Sequence, residues 1–556
     1  MSREHLILIA VCSLTLFAGL GRPPITDSDE AFYAEGAREM VDGGDWLTPH
    51  FNYENRFEKP VLYYWLVAST YTLLGVDEGS ARLPSALAGL SLALLTFFLG
   101  RRWFNYSTGL LAGLIIATCF GCVVMARQAL PDLTLTFFVT LATYSTLTAW
   151  LDPPNDTFKV DKANRRWHLA MAAVAVACGF LTKGPVALAL PCIVVAPILF
   201  YEYWAQRSRC HISLIDVTLG LGLFLLLTAP WFLGMTLVHG VEYAERFFLA
   251  ENFDRFVTAR YNAPRPWWYY VPIVIGGLFP WSLYMPLWLP RLWKFATRRD
   301  RIIDLTTARL TWWALAPLLF YTLSVGKQPR YILPMLCPLA LLLAATICAR
   351  LLSQNSWRDY LMTSCTILTG GVLVTLGILI FRARVLFSEW SPHWITVVAA
   401  SVALSGLIVC LTAAKSRWTA AAVAFAAILT TLGAHYVVLA SPGPAPVERI
   451  ASLLTEARQN EELYGRHGVF NRNLVFYTRA QFLELPILRA ADDLLRQPDR
   501  VLCVLRAEDA KTLRDRGLTL IGLGEVTYVD TGSLNFRTFL SPNPDHRQRV
   551  VLVANR

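Results

Sequence analysis

The sequence predicts an α-helical polytopic membrane protein of about 13 transmembrane helices. It also predicts amphipathic helices in the outward loops and a small C-terminal α/β domain outside the membrane. Three observations predict this. Of 556 residues, 55% are hydrophobic and only 16% charged, against roughly 25% charged in soluble proteins. Apolar runs approaching the ~20 residues that a helix needs to cross a bilayer recur through residues 1–440. After Ala440 the composition shifts abruptly to ordinary charge density.

The first run, 6–20, has the length and flanking charge of a signal peptide. No small-residue cleavage site follows it and twelve further runs do, so it reads as an anchored helix. The others are 83–100, 110–125, 133–150, 169–181, 186–201, 214–234, 270–290, 310–325, 331–349, 361–381, 394–411 and 418–440. Barrel-type alternation is absent, which leaves closed helices as the spanning form. With the N-terminus inside, 18 basic residues fall in six short cytoplasmic loops, among them Arg101, Arg102, Lys159, Arg165, Arg207, Arg298, Arg358 and Lys415. The short outward turns carry only Arg127, Lys183, Lys327, Arg330, Arg382 and Arg384. The positive-inside bias therefore sets the N-terminus cytoplasmic and the C-terminal domain extracytoplasmic. It also accounts for the net charge of +10 without any nucleic-acid partner. Cys119 and Cys122 are spaced like a CxxC pair but fall inside an apolar run, where core packing is the expected role.

Two outward loops are long, 22–81 and 235–269. Residues 22–63 carry nine acidic and four basic side chains. Asp29 to about Val41 reads as a helix, capped by Ser28 or Asp27 and stopped by Gly43-Gly44. Tyr33, Ala37 and Met40 share an apolar stripe, so this helix is expected to lie on the membrane surface. The run 62–74 is short and rich in Tyr and Trp, as in an interfacial helix. The second loop interleaves His239, Glu242, Glu245, Arg246, Glu251 and Asp254 with aromatics and ends in Trp267-Trp268-Tyr269-Tyr270. Every motif-like cluster thus falls on the outward face. The spans themselves are poor in ionisable groups, with Asp216 at a span end and His435 the main buried candidate. Ion-coupled transporters keep such groups near the midplane, so a pump or symporter is disfavoured.

Four motifs carry a resemblance: Asp29-Glu30, Phe57-Glu58-Lys59-Pro60, Pro131-Asp132 and Lys327-Gln328-Pro329-Arg330-Tyr331. In this order and on one side of the spans, they make the chain resemble the GT-C glycosyltransferases. More narrowly, it resembles the protein-mannosyltransferase/aminoarabinose-transferase group, from the first span to about Pro334. The resemblance implies a donor sugar joined through phosphate to undecaprenol or another polyprenol, and a cavity beneath the outward loops. It implies that Asp29 is the principal catalytic aspartate and Asp132 a second acidic position, with Glu30 and Tyr33 supporting. Lys59 and Arg246 match phosphate-binding positions, Tyr331 an aromatic near the carrier phosphate, and Glu58 with His239 a divalent metal site (zinc or another ion). It also implies a bacterial inner-membrane enzyme acting at the periplasmic face among membrane lipids. The acceptor is open among lipid A (receiving 4-amino-4-deoxy-L-arabinose), protein and cell-envelope polysaccharide.

The chemistry agrees. A leaving phosphate needs its charge stabilised, and Lys59, Arg246, Lys327 and Arg330 are cations able to do that. An acceptor hydroxyl benefits from a carboxylate base such as Asp29 or Asp132. Each residue also has a plainer reading. Asp29 can simply cap its helix, Asp132 can be a turn residue, and Glu58-Lys59 a solvated pair. Lys327 and Arg330 can anchor at headgroups and Tyr331 can join an aromatic belt. A rival of another class is a lipid-linked sugar flippase.

Beyond the linker Ser441-Pro442-Gly443-Pro444-Ala445-Pro446, segments 474–477, 501–505, 518–523 and 550–553 read as strands, and 447–463 and 490–497 as helices. No nucleophile or phosphate loop is visible there.

Overall fold

Helix boundaries follow local chemistry closely. The computed structural model describes residues 3–151, 162–205, 213–254, 257–258, 264–288, 305–351, 360–386, 392–413, 418–436, 440, 444–459, 462–529, 536–543 and 547–556. Lys159, Arg207, Arg298, Arg358, Lys415 and linker residues 441–443 lie outside the described residues. Helix α1 (Arg3–Cys12) continues through a π turn to Phe17. Helix α2 (Asp29–Gly43) is capped by Ser28, whose side chain accepts from the Glu30 amide, and ends at Gly44 with φ of 70°. Helix α3 (Leu62–Leu74) leads to α4 (Glu78–Trp103), capped by the Asp77 carboxylate. Then follow α5 (Tyr106–Thr118), α6 (Phe120–Ala126), α7 (Pro131–Trp150), α8 (Lys162–Lys183), α9 (Val186–Ala205), α10 (Leu214–His239) and α11 (Val241–Glu245).

Among the described residues, six helices are long and apolar enough to cross a membrane, or eight if each of two bent pairs is one span. One bend, of 57°, separates α5 from α6 at Cys119. The expected single run 110–125 is therefore broken, and Cys119 sits at the break, buried with Cys122. The other bend, of 116°, divides the expected run 270–290 between Gly277 and Trp281, where Pro280 has no amide to continue a helix. The expected runs 133–150, 169–181 and 310–325 fall on helices Pro131–Trp150, Lys162–Lys183 and Leu305–Leu323, which are long enough to span but more polar than those six.

Helix α2 is covered by protein on more than its apolar stripe, since Glu30, Glu35, Arg38 and Glu39 are all buried too. Tyr33 packs on Tyr63 and Tyr64 of α3 with ring centroids 5.3 and 5.1 Å away. The C-terminal segment covers another side. After a short antiparallel pair in the first long loop, β1 (His50–Phe51) with β2 (Glu54–Asn55), the C-terminal strands β3 (Leu463–Arg466), β4 (Leu483–Glu484), β5 (Val501–Arg506), β6 (Ile521–Val529) and β7 (Arg547–Ala554) form one sheet in the order β4-β3-β5-β7-β6. β3 is parallel to β4 and β5, and β7 is antiparallel to β5 and β6. The segment 474–477 is not the expected strand but a short helix, Leu474–Thr478, whose Phe476 is buried in the cluster around α2 and α3. The expected helix 447–463 ends at Ala457, and Leu463 begins β3.

Candidate active site

The turn before α2, the start of α7, the end of α8, the 3-10 turn Pro329–Met335 and one loop of the C-terminal segment converge. Asp29, the first residue of α2, is ion-paired with Arg330 through Oδ2 and accepts from Arg472 Nη1 on Oδ1 at 3.0 Å. Arg330 Nε also lies 3.4 Å from Asp132 Oδ2. Asp132 follows Pro131, which starts α7 with its φ already helical. Its Oδ1 accepts from Lys183 Nζ at 2.5 Å, and that ammonium sits 4.7 Å from the centroid of the Tyr331 ring. The result is a chain of alternating charge: Arg472, Asp29, Arg330, Asp132, Lys183. Burial raises the Asp29 carboxyl, but Arg330, Arg472 and Arg56 outweigh it and hold the group below the usual carboxylate range. Asp29 is therefore ionised throughout the neutral range.

A cavity of about 340 Å³ adjoins this chain, lined by Lys59, Lys183 and Tyr331 and by the apolar Val186, Phe248 and Phe320. Lys59 Nζ donates to the Glu58 carbonyl at 2.9 Å. Of the residues expected at the site, Asp29, Asp132, Lys59, Arg330 and Tyr331 are thus brought together. Tyr33 lies beneath them, buried against α3.

Other expected residues are placed elsewhere. Glu30 points away into a buried ion pair with Arg82 at 2.7 Å and accepts from the amides of Thr26 and Ala129. It fastens α2 to α4 and to the turn before α7. Lys327 does not line the cavity; its ammonium donates to the Ser324 carbonyl at 2.5 Å and is buried. Arg246 is half exposed, 3.6 Å from Glu58 Oε1 and over the Phe57 ring, and it too is outside the cavity lining.

Glu58 and His239 both neighbour Phe57. Glu58 faces two guanidiniums, Arg56 and Arg246, each at 3.6 Å. His239 Nε2 is hydrogen-bonded to the Thr48 hydroxyl at 2.9 Å and its ring packs on Phe57. Among the described residues no group of three or more His, Cys, Asp or Glu side chains gathers as a metal shell would. Two guanidiniums on one carboxylate leave little charge for a cation, so this donor set fits a metal poorly.

The family model for dolichyl-phosphate-mannose-protein mannosyltransferase matches residues 25–243. An undecaprenyl phosphate-alpha-4-amino-4-deoxy-L-arabinose arabinosyl transferase of Proteus mirabilis is 30% identical over 418 residues, covering 74% of this chain and 72% of the relative. The chain belongs to the protein-mannosyltransferase/aminoarabinose-transferase group of GT-C glycosyltransferases. A transferase of the same description from Pseudomonas fluorescens is 35% identical over 64% of this chain, and the match spans 61% of that relative's length, under two thirds of it. The crystal structure of ArnT from Cupriavidus metallidurans bound to undecaprenyl phosphate superposes with a TM-score of 0.73 at 24% identity. That superposition covers 99% of this chain and 98% of the other, so the GT-C fold extends over nearly the whole molecule. This member of the group is a membrane-embedded, multi-pass protein.

Two site residues escaped the sequence reading. Lys183 ends α8 just before Gly184, which turns with φ of 81°. The Lys-Gly-Pro turn, expected among the outward turns, was the available signal. Arg472 lies in a loop without any local motif, and only the docking of the C-terminal segment brings it to Asp29.

Proposed function

We propose that this protein transfers a sugar from an undecaprenyl- or other polyprenyl-phosphate donor to an acceptor at the outer face of a bacterial inner membrane. The observation that carries the proposal is the alternating charge chain, with carboxylates Asp29 and Asp132 beside a cavity whose walls supply Lys59, Lys183 and Tyr331. The names of the relatives point to 4-amino-4-deoxy-L-arabinose as the sugar, and lipid A is the acceptor we assign. In this reading the chain crosses the membrane thirteen times, N-terminus cytoplasmic. Residues 441–556 form a small α/β domain on the outer side.

In the reaction an acceptor oxygen bonds to the anomeric carbon as the bond from that carbon to the phosphate oxygen breaks, and the phosphate departs with the electron pair. Lys59 and Lys183 face the cavity and meet that charge. The apolar wall of Val186, Phe248 and Phe320 accommodates the start of the polyprenyl chain. Asp29, kept ionised, stabilises positive charge developing on the sugar and accepts the proton of an acceptor hydroxyl; an acceptor phosphate would need no base. With two guanidiniums on Glu58 and the His239 ring held by Thr48, no step in this reading is routed through a divalent cation.

The test is release of undecaprenyl phosphate from the carrier-linked aminoarabinose, together with a new glycosidic bond on lipid A, by purified protein. Asp29→Asn is expected to fold with an unchanged melting profile and lose at least about a hundredfold in turnover. Turnover at the wild-type rate would overturn the role of Asp29. Movement of labelled carrier lipid without bond formation would favour a flippase.

A further inference from the structure

We propose that Arg472, from the C-terminal segment, is a positioning residue for the transfer: it fixes one carboxylate oxygen of Asp29 while Arg330 holds the other, so the C-terminal segment completes the active site. This rests on the reading of Asp29 as the group at the reacting sugar.

The carboxylate is held at both oxygens by different parts of the chain, Arg472 Nη1 on Oδ1 at 3.0 Å and Arg330 on Oδ2. With one partner, a carboxylate can still rotate about its Cβ–Cγ bond. With a guanidinium on each oxygen, that rotation is blocked, and orientation of this kind supports an attack geometry. An exposed ion pair by itself contributes little because ordering two long side chains offsets the attraction. Arg472 differs because its backbone is already fixed. Its amide donates to Asp27 Oδ1 at 2.6 Å, and the neighbouring amides of Asn471 and Asn473 donate to the same carboxylate at 3.0 and 3.4 Å. The Asn473 side chain donates to the Ile25 carbonyl at 2.9 Å. The guanidinium itself lies over the Phe32 ring, 4.7 Å from its centroid, one turn along α2 from Asp29. Tyr477 completes the dock: it accepts from the Ile25 amide and donates to Glu78, each at 2.8 Å.

The charged and titratable groups facing Asp29 are Arg330, Arg472 and Arg56, opposed by Asp132, with Tyr33 and Tyr64 alongside. Loss of one of three cations makes Asp29 easier to protonate.

The experiment uses full-length protein in nanodiscs, with undecaprenyl-phosphate aminoarabinose as donor and lipid A as acceptor, and compares Arg472→Ala, Arg472→Gln, Arg472→Lys, Asn473→Ala and Asp29→Asn. Arg472→Ala and Arg472→Gln are expected to lower kcat on the order of tenfold or more and leave the donor KM within about twofold. They are also expected to move the acid limb of the pH–rate profile up by about one unit. Arg472→Lys restores the limb and most of the rate. Asn473→Ala loosens the same dock without touching Asp29 and leaves the limb in place. Unchanged kcat and limb in both Arg472→Ala and Arg472→Gln would overturn the proposal, as would a loss matching Asn473→Ala with the limb unmoved. If Arg472→Ala does not fold, Arg472→Gln and Arg472→Lys decide by the same criteria. An active Asp29→Asn sinks the underlying reading as well; an inactive Asp29→Asn beside an unaffected Arg472→Ala sinks this inference alone.

Discussion

Asp132 is 4% exposed and Arg330 and Lys183 are mostly buried with it. Buried charge is tolerated when partners replace water, and here each carboxylate oxygen meets a cation. Among the described residues, Glu39 of α2 has no such partner. Its neighbour Glu35 takes Arg38, which also holds Asp42; Glu39 accepts one amide, from Tyr53 at 3.0 Å. Burial and the nearby Glu35 push the Glu39 carboxyl up to about 8. The folded state therefore keeps a proton that the unfolded chain releases above its ordinary value of 4.5. Stability is full below that value and falls as pH rises from 4.5 to about 8. Melting temperature measured across this window should fall for the wild type, and Glu39→Gln should flatten the slope. A slope unchanged by Glu39→Gln would count against this account.

At the scale of elements, α2 is the piece that positions Asp29, and two local signals made it legible: the Ser28 cap and the Gly43-Gly44 stop. Its burial was not legible, because a stripe of Tyr33, Ala37 and Met40 says which face is apolar and not what covers the others. Gly36 shows how tightly it is covered. A Cβ there would come within 2.6 Å of the His50 carbonyl oxygen and 2.8 Å of the Tyr64 ring. Both the strand β1 (His50–Phe51) and α3 would have to shift. Gly36→Ala is expected to destabilise by about 1–3 kcal/mol, as overpacking does, and to reduce turnover by displacing Asp29. A melt equal to wild type would show that this contact can relax. The segment 474–477 failed in the opposite direction. Leu-Val-Phe-Tyr has strand-like composition, yet Leu474, Val475 and Phe476 are buried together as one helical turn, and packing overrode propensity.

For the whole molecule, the arrangement depends on one dock, in which Asp27 accepts three successive backbone amides from 471–473. Hydrogen bonds to a charged acceptor contribute about 1.5–3 kcal/mol each. Asp27→Ala should therefore speed amide exchange at Asn471, Arg472 and Asn473 by at least about tenfold while the sheet β3–β7 keeps its protection. Equal exchange in variant and wild type would mean that Tyr477 and Asn473 suffice to hold the segment. The sequence alone determined the helical membrane class, because apolar composition and run length depend on nothing but the bilayer as solvent. Its local motifs also singled out two carboxylates, Asp29 and Asp132, two cations, Lys59 and Arg330, and one aromatic, Tyr331, which the fold brings together. Tertiary structure alone decided that Glu30 serves Arg82, that Lys327 turns to Ser324, and that Lys183 and Arg472 join the charge chain. Those choices depend on which oppositely charged groups end up within a few ångströms, and chain spacing does not encode that distance.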